Sequence, residues 1–334
     1  MNNSTSEEIA PTKFSNCVLV VEDVWGKAFD LAKEQLTFSY QPELWKDGEK
    51  LRQAIARADA LVVRNRTQVD RELLASAPKL KVVARAGVGL DNIDLKAADE
   101  LGVVVVAALG ANATSVGEHA LAMAFAFAKD LVNQDNDTKA GRWDRRFGFE
   151  LNAKHWGVIG LGATGRETAR LSHAIGMKVF GYDPLLPGDR KVEGVDRRCE
   201  TLDELLATCD IVSLHVPLTP STKNLVDAEF LAKMREGSYL INSSRGALVD
   251  EDALVMALDS GHIGGAALDV REAEPPKAHP LNNHKKTIAS PHVAGLTHES
   301  QDRITTILAS EVESILKGQV ATYHVGSHCV PVGK

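Results

Sequence analysis

The sequence predicts an α/β protein of about two domains, and three observations carry that prediction. The chain is 334 residues long, more than a single ordinary core needs. Short apolar runs alternate with helical ones along most of its length. Near the middle, Gly160-Leu161-Gly162-Ala163-Thr164-Gly165 spells a G-x-G-x-x-G turn between an apolar run and a helical one. A large segment precedes that turn and needs a job of its own.

Composition narrows the class. Hydrophobic residues make up 44% of the chain and the net charge is −7. No basic tail or stripe appears, which argues against a nucleic-acid or membrane partner. The four cysteines are scattered without a C-x-x-C pair, so neither a metal site nor a disulfide framework is expected, and a cytoplasmic location is. The longest apolar stretch, residues 120–128, is too short to span a bilayer. Residues 1–12 are polar and acidic and read as a frayed terminus, not a signal peptide.

The elements follow in order. Residues 17–21, 60–63, 81–84 and 103–107 read as buried parallel strands, with helices at 51–58, 71–77 and 95–101 between them. Residues 113–131 read as one long helix of small and apolar side chains, followed by a polar stretch at 133–152. The strand 156–159 leads into the glycine turn, a helix at 166–174 and a strand at 178–182. Thr201 and Glu204 form a capping box before a short helix. Strands are expected at 210–216, 238–242, 264–269 and 287–290, giving about six in this sheet. The helix 250–260 has an acidic N-cap and stops at Gly261; the last helix, 298–316, ends at Gly318.

The glycine turn has the layout of a dinucleotide site. Gly160 permits the tight turn, Gly162 lets backbone approach a pyrophosphate, and Gly165 lets helix pack on strand. The N–H groups of the following helix then face the phosphates. Asp183 ends the next strand, where a carboxylate accepts both ribose hydroxyls and repels a 2′-phosphate, so the cofactor expected is NAD.

In an open α/β sheet, ligands gather at the carboxyl ends of the strands. Those ends carry His215-Val216-Pro217, Ser243-Ser244-Arg245, Asp269 with Glu274 after it, and His292. His215, Val216, Pro217, Ser243 and Ser244 are assigned to the cofactor, and Asp269 to its nicotinamide side. The chemistry that uses the rest is hydride transfer coupled to proton transfer. A histidine suits the proton because imidazole titrates near neutrality, so His292 is the candidate acid/base, with Glu274 beside it favouring the charged ring. Arg245 polarises a carbonyl or grips a carboxylate with its planar fork. His119, His155, His173 and His284 are read as structural.

These residues together resemble the D-2-hydroxyacid dehydrogenase family, most closely its 3-phosphoglycerate dehydrogenase branch. The resemblance runs from about Val18 to Gly318. It includes Leu80-Lys81-Val82-Val83-Ala84-Arg85-Ala86-Gly87-Val88-Gly89-Leu90-Asp91-Asn92-Ile93-Asp94, the glycine turn, Asn242 to Gly246, Ala267-Leu268-Asp269-Val270, Glu274-Pro275 and Pro291-His292. It implies two Rossmann-like or flavodoxin-like domains, an NAD-binding domain at 111–296 inserted into a discontinuous substrate domain at 1–110 and 297–334. It implies Arg245, Glu274 and His292 as catalytic trio. Ala163, Thr164, Asp183, Asp269 and the stretch 292–295, with Gly295, correspond to cofactor contacts. Gly87, Val88 and Gly89 correspond to a loop whose N–H groups hold the substrate carboxylate, a sound anion nest. A homodimer through the cofactor domains is implied too, with residues 133–152 as an arm. The family's regulatory C-terminal domain is not expected. The chain departs from the family at Ala107-Ala108-Leu109, at Asn65, and at Arg271, where an aromatic is usual.

Arg64, Arg85 and Arg145 match positions near the substrate phosphate in the phosphoglycerate branch, with Asn65 and Arg66 beside Arg64. If they converge, the substrate carries a second anionic group, as phosphohydroxypyruvate, sulfopyruvate or a dicarboxylic acid does. Other readings are a glyoxylate or hydroxypyruvate reductase and a non-catalytic NAD(H) sensor resembling the corepressor relatives. The formate-oxidising branch replaces the acid partner of its histidine by an amide, which Glu274 argues against.

Overall fold

The computed structural model describes residues 16–24, 26–187 and 190–331. The expected frayed segment 1–12 lies outside them. The described residues form two compact units, those of 16–111 with 298–331, and those of 112–297.

The first unit contains β1 (Cys17–Val20), α1 (Lys27–Ala32), β2 (Thr37–Tyr40), α2 (Gly48–Ile55), β3 (Ala60–Val63), α3 (Arg71–Ala75), β4 (Val82–Arg85), α4 (Leu95–Glu100) and β5 (Val104–Ala107). Its sheet is parallel in the order β2-β1-β3-β4-β5. The second unit contains α5 (Ala113–Ala128), α6 (Leu131–Lys139), β6 (His155–Ile159), α7 (Ala163–Ala174), β7 (Lys178–Tyr182), β8 (Arg197–Arg198), α8 (Leu202–Thr208), β9 (Ile211–Leu214), α9 (Ala228–Lys233), β10 (Ser238–Asn242), α10 (Glu251–Asp259), β11 (Ile263–Leu268) and β12 (Thr287–Ala289). Its sheet is also parallel, in the order β12-β11-β10-β9-β6-β7-β8. The helix α11 (His298–Leu316) returns the chain to the first unit.

Side-chain alternation along the strands divides each unit into two cores. In the first, Val18, Val20, Val62 and Val106 face a core closed by Phe29 and by Ile304, Leu308 and Val312 of α11. Leu19, Leu61, Val63 and Val105 face the other, closed by Ile55, Leu74 and Ala97. In the second unit, Trp156, Val158 and Ile241 pack with Ala120, Ala124 and Ala169. Ile159, Leu214, Leu240 and Ala266 pack with Leu205, Phe230 and Leu254. Strands buried on both faces read as unbroken apolar runs, which is why most of them were legible.

The differences have local causes. β2 is an edge strand of half-buried or exposed residues, Thr-Phe-Ser-Tyr, and lacks the apolar run. β8 is a two-residue edge, making the sheet seven-stranded where about six strands were expected. The helix expected through residue 131 stops at Ala128. There Phe149 N–H donates to Ala128 O at 2.8 Å, and Asp130 turns left-handed at φ 47°. The polar stretch expected at 133–152 begins as helix α6. At the capping box, Thr201 Oγ1 accepts from Glu204 N–H at 3.2 Å, but the Glu204 carboxylate reaches the N–H of Glu200 (3.1 Å). Among the described residues, no helix is long and apolar enough to cross a membrane.

Glu22, directly after β1, is a buried acid that belongs to no sequence motif. Its oxygens accept from the N–H groups of Arg64 (2.9 Å), Arg66 (3.0 Å) and Thr67 (3.0 Å). Asn92 completes the brace, donating to the carbonyls of Arg64 (3.1 Å) and Thr67 (2.7 Å). The loop after β3 thus owes its shape to one carboxylate and one amide. Glu22→Ala should lower the unfolding free energy by about 3 kcal/mol, because one buried and two part-buried donors lose their acceptor. Urea titration of the two proteins measures this; a loss below about 1 kcal/mol would show that the brace is not needed.

Candidate active site

The glycine turn joins β6 to α7 at the point where the strand order reverses, between β6 and β9. Its three glycines behave as three separate constraints. Gly160 sits at φ +90°, and a Cβ there would lie 2.6 Å from the carbonyl oxygen of His215. A Cβ on Gly165 would lie 1.9 Å from the Gly160 oxygen, so the helix packs on the turn only without one. A Cβ on Gly162 would meet nothing within 4 Å, which leaves open the approach a pyrophosphate needs. Gly162 is the N-cap of α7 and supplies no side-chain cap, so Ala163 and Thr164 begin a helix whose first amides remain for a ligand.

Asp183 follows β7, and its carboxylate accepts from Leu161 N–H (2.9 Å) and Leu185 N–H (2.9 Å). It therefore ties the glycine turn to the strand beside it. Ser244 Oγ donates to Val216 O at 2.5 Å, linking the ends of β10 and β9. The Ser243 hydroxyl is buried and has no hydrogen-bond partner among the described residues. Open space at Gly162, uncapped amides, a carboxylate after β7 and an orphaned hydroxyl fit a bound dinucleotide.

His215 N–H donates to Ile159 O at 2.7 Å behind the turn. Its ring bonds Ser213 Oγ at 3.0 Å, and that hydroxyl also accepts from Trp156 Nε1 at 2.8 Å. Burial pulls the imidazole down to about 4, so the ring is neutral. Its contribution to the turn is through its backbone.

The residues expected as the catalytic trio lie after β10, β11 and β12. His292 Nδ1 lies 2.7 Å from Glu274 Oε2. A carboxylate only accepts, so Nδ1 carries the proton and Nε2 is left for a reacting atom. Burial pushes the Glu274 carboxyl up, but the His292 hydrogen bond and charge, the Arg271 N–H and the Arg245 charge outweigh it, holding it below the usual range. Asn242 fixes the turn carrying Arg245, donating to Arg245 O (2.8 Å) and accepting from Ser244 N–H (3.0 Å). The Arg245 Nη1 donates to Ser244 O at 2.6 Å. The structure thus gathers all three expected residues within one unit.

Asp269 is 1% exposed and holds the loop that carries His292. It accepts from Ser290 Oγ (2.6 Å), Val293 N–H (2.9 Å) and Ala294 N–H (2.8 Å). His292 N–H donates to Asp269 O at 2.7 Å. His292 itself sits at φ +56°, a left-handed conformation that costs a β-carbon-bearing residue roughly 1–2 kcal/mol. His119 Nε2 lies 3.1 Å from Ser290 Oγ and 3.7 Å from Asp269 Oδ1. Gly295 lets the loop continue past Asn112, whose Nδ2 would be 2.5 Å from a Cβ at that position. Ser290 and the link to His119 were missed because only the fold brings residues 119, 269 and 290 together.

The anion-binding candidates divide between the units. In the first, Arg64 follows β3 and Arg85 ends the adjacent β4, where it pairs with Val63. Arg64 is half-buried and Asn65 exposed. Burial pulls the Arg64 pKa below its ordinary value, against the charges of Glu22 and Asp23. Arg66 lies over the Trp45 ring at 4.8 Å. Arg85 is buried, with Nη1 donating to Ala86 O at 3.0 Å. A Cβ on Gly87 would strike that guanidinium at 1.6 Å, so Gly87 makes room for it. Arg145 belongs to the second unit and is exposed on the stretch after α6.

Residues 121–294 match the family described as D-isomer specific 2-hydroxyacid dehydrogenase, NAD binding domain. The (S)-sulfolactate dehydrogenase of Chromohalobacter salexigens is 41% identical over 90% of this chain and 98% of its own. The D-3-phosphoglycerate dehydrogenase of Methanocaldococcus jannaschii is 41% identical over 86% of this chain and 55% of its own. The chain spans about half the length of the D-3-phosphoglycerate dehydrogenases it matches. The crystal structure of the TT0316 protein from Thermus thermophilus superposes with a TM-score of 0.85 at 32% identity, covering 92% of this chain and 99% of that one.

The neutral, buried His215 makes acid stability a test of this geometry. Unfolded, the ring takes up a proton near its ordinary 6.5; folded, it does so only near 4. Between those values the unfolded state binds more protons, so stability falls as pH is lowered, by up to about 3 kcal/mol. His215→Gln should lose that part of the acid sensitivity. Urea titrations between about pH 7 and about pH 4.5 measure the difference; identical pH dependence in the two proteins would contradict the assignment.

Proposed function

The chain belongs to the D-isomer specific 2-hydroxyacid dehydrogenase family, and from that premise we propose that it is an NAD-dependent oxidoreductase. It interconverts a small anionic 2-hydroxy acid and its 2-oxo acid. The observation that carries this reading is the Glu274–His292 contact of 2.7 Å on a loop held by Asp269. Bound NADH supplies the hydride. In the reductive direction His292 delivers its proton from Nε2 to the substrate oxygen, and Glu274 stabilises the charged ring beforehand. Arg245 polarises the carbonyl and draws the carboxylate into line. The N–H groups of Gly87, Val88 and Gly89 take the carboxylate as an anion nest. Asp183 after β7 favours NAD over NADP.

Arg64, Arg85 and Arg145, with Asn65, are the proposed contacts for a second anionic group, a phosphate or a sulfonate. Arg64 is half-buried, so it is not a fully solvated surface cation, and it lies directly after β3, whose last residue pairs with Arg85. Burial pushes Cys199 up to about 11 and Cys209 higher still, so neither thiol is a candidate nucleophile. The cysteines are free, in keeping with a reducing compartment such as the cytoplasm.

The test is NADH oxidation against phosphohydroxypyruvate, sulfopyruvate, oxaloacetate, hydroxypyruvate and glyoxylate. Turnover should favour the acids with a second anionic group. His292→Ala should lower kcat by about 10²–10⁴-fold and leave NADH binding intact. Preference for glyoxylate or hydroxypyruvate would remove the arginine argument. Tight NADH binding without turnover of any acid would favour the sensor reading.

A homodimer is the second part of the proposal. Leu131, Val132, Trp143 and Phe147 are large and exposed on α6 and the stretch after it, Trp143 at 81%. That stretch is anchored: Arg146 bonds Asp130 (2.6 Å) and Asp137 (2.7 Å), and Arg142 also bonds Asp137. Exposed apolar groups on an anchored segment suit a second copy of the chain. Sedimentation should show a dimer that Trp143→Asp with Phe147→Asp dissociates; a monomeric wild type at micromolar concentration would refute it.

A further inference from the structure

Glu274 serves His292 only while its carboxylate stays on Nδ1, and the turn that holds it there is clamped from outside the trio. Arg271, at the position where an aromatic was expected, faces α10. Its Nε and Nη2 donate to the two oxygens of Glu251, both at 2.7 Å, and its Nη1 donates to Asn282 Oδ1 at 2.8 Å. The two charged side chains are only 9% and 15% exposed. The same Glu251 accepts from Glu272 N–H at 3.2 Å, and Arg271 N–H donates to Glu274 Oε1 at 3.3 Å. The turn is also pressed against Gly246, the residue after Arg245: a Cβ there would lie 1.9 Å from the Arg271 carbonyl carbon.

We propose that the Glu251–Arg271 pair is a positioning device for the acid/base dyad. It locks the 271–274 turn so that one Glu274 oxygen takes the Arg271 N–H and the other takes His292 Nδ1. Through Gly246 it also fixes the Arg245 turn against that of Glu274. This rests on the reading of His292 and Glu274 as the proton-transfer pair. Neither Glu251 nor Arg271 is a catalytic residue; both act through Glu274. A planar fork meeting both oxygens sets direction as well as distance, which a lysine ammonium does not.

The experiment uses the full chain with Arg271→Met and Arg271→Lys. One readout needs no substrate: the His292 Nδ1 proton, observed by NMR as a downfield, slowly exchanging signal while it is bonded to a carboxylate. In Arg271→Met that signal should broaden or vanish. With the best acid substrate, kcat should fall by about tenfold to a hundredfold. NADH affinity should stay within about twofold, since the variant reaches the chemistry and not the cofactor turn. The acid limb of the pH profile should move upward, because a loosened turn draws the backbone N–H of residue 271 away from Glu274, and that donor favours the charged form. Arg271→Lys should restore part of kcat and part of the signal. An unchanged signal and kcat in Arg271→Met would overturn the proposal, as would NADH affinity falling in step with kcat. If Arg271→Met does not fold, Glu251→Met with Arg271→Met replaces the buried pair by apolar groups of similar size, a change that often leaves folding intact. It should show the same losses, and wild-type behaviour would overturn the proposal. If no acid is turned over at all, the dehydrogenase reading fails, and the NMR signal still decides whether Arg271 holds the dyad.

Discussion

The candidate site depends on one buried carboxylate. Asp269 ends β11 and has no exposure to relax into, so its charge must be met by donors. It meets them by drawing in the Ser290 hydroxyl and the amides of Val293 and Ala294. The chain between those groups carries His292, which is left no choice but a left-handed backbone. A residue there would otherwise relax, and the imidazole would leave Glu274. The three charge-assisted bonds, each stronger than a neutral one, outweigh the roughly 1–2 kcal/mol of backbone strain. Asp269 is expected to contact the cofactor, and in the structure its oxygens also accept three bonds from the loop.

The same device recurs in other loops, two of them leaving the parallel sheets and one following α11. Beyond the last ladder bond, the amides of a loop have no strand to pair with, yet many are buried. Glu22 supplies acceptors for the loop after β3, Glu251 for the turn after β11, and Glu311 for the N–H groups of Thr322 and Tyr323. A carboxylate accepts several bonds at once and fixes their mutual geometry. Glycine does the complementary work, at Gly160, Gly165 and Gly246, by removing the atom that would keep two backbones apart. Loops built this way are precise without being regular.

What was legible in the sequence follows from this division. Strands buried on both faces announce themselves as apolar runs, so β3, β4, β5 and β10 stood close to where they were expected. β2 and β8, at sheet edges, have too little buried surface to leave such a mark. The glycine turn was legible because each glycine answers a local demand of the backbone. Arg245, Glu274 and His292 were legible because they sit at strand ends and because their motifs resemble a family. The braces were not. Glu22 and Thr67, or Asp269 and Ser290, are far apart in the chain and belong to common residue types. Nothing in their local sequence distinguishes an acid that binds three amides from one that faces water.

Arg271 shows why that blind spot matters for function. By sequence it is a departure beside a candidate catalytic acid, and the natural reading is a change of substrate. Its side chain turns the other way, into Glu251, and the departure concerns how Glu274 is held. An aromatic at this position would fill space by packing and needs no charge. An arginine here must be neutralised within the same low-exposure pocket, and Glu251 opens α10 at a fixed place in the fold. The substitution therefore carries its partner with it: Arg271 and Glu251 make structural sense only as a pair. In the proposed reading, substrate preference lies instead with the loop bearing Arg64 and Asn65, which Glu22 and Asn92 brace.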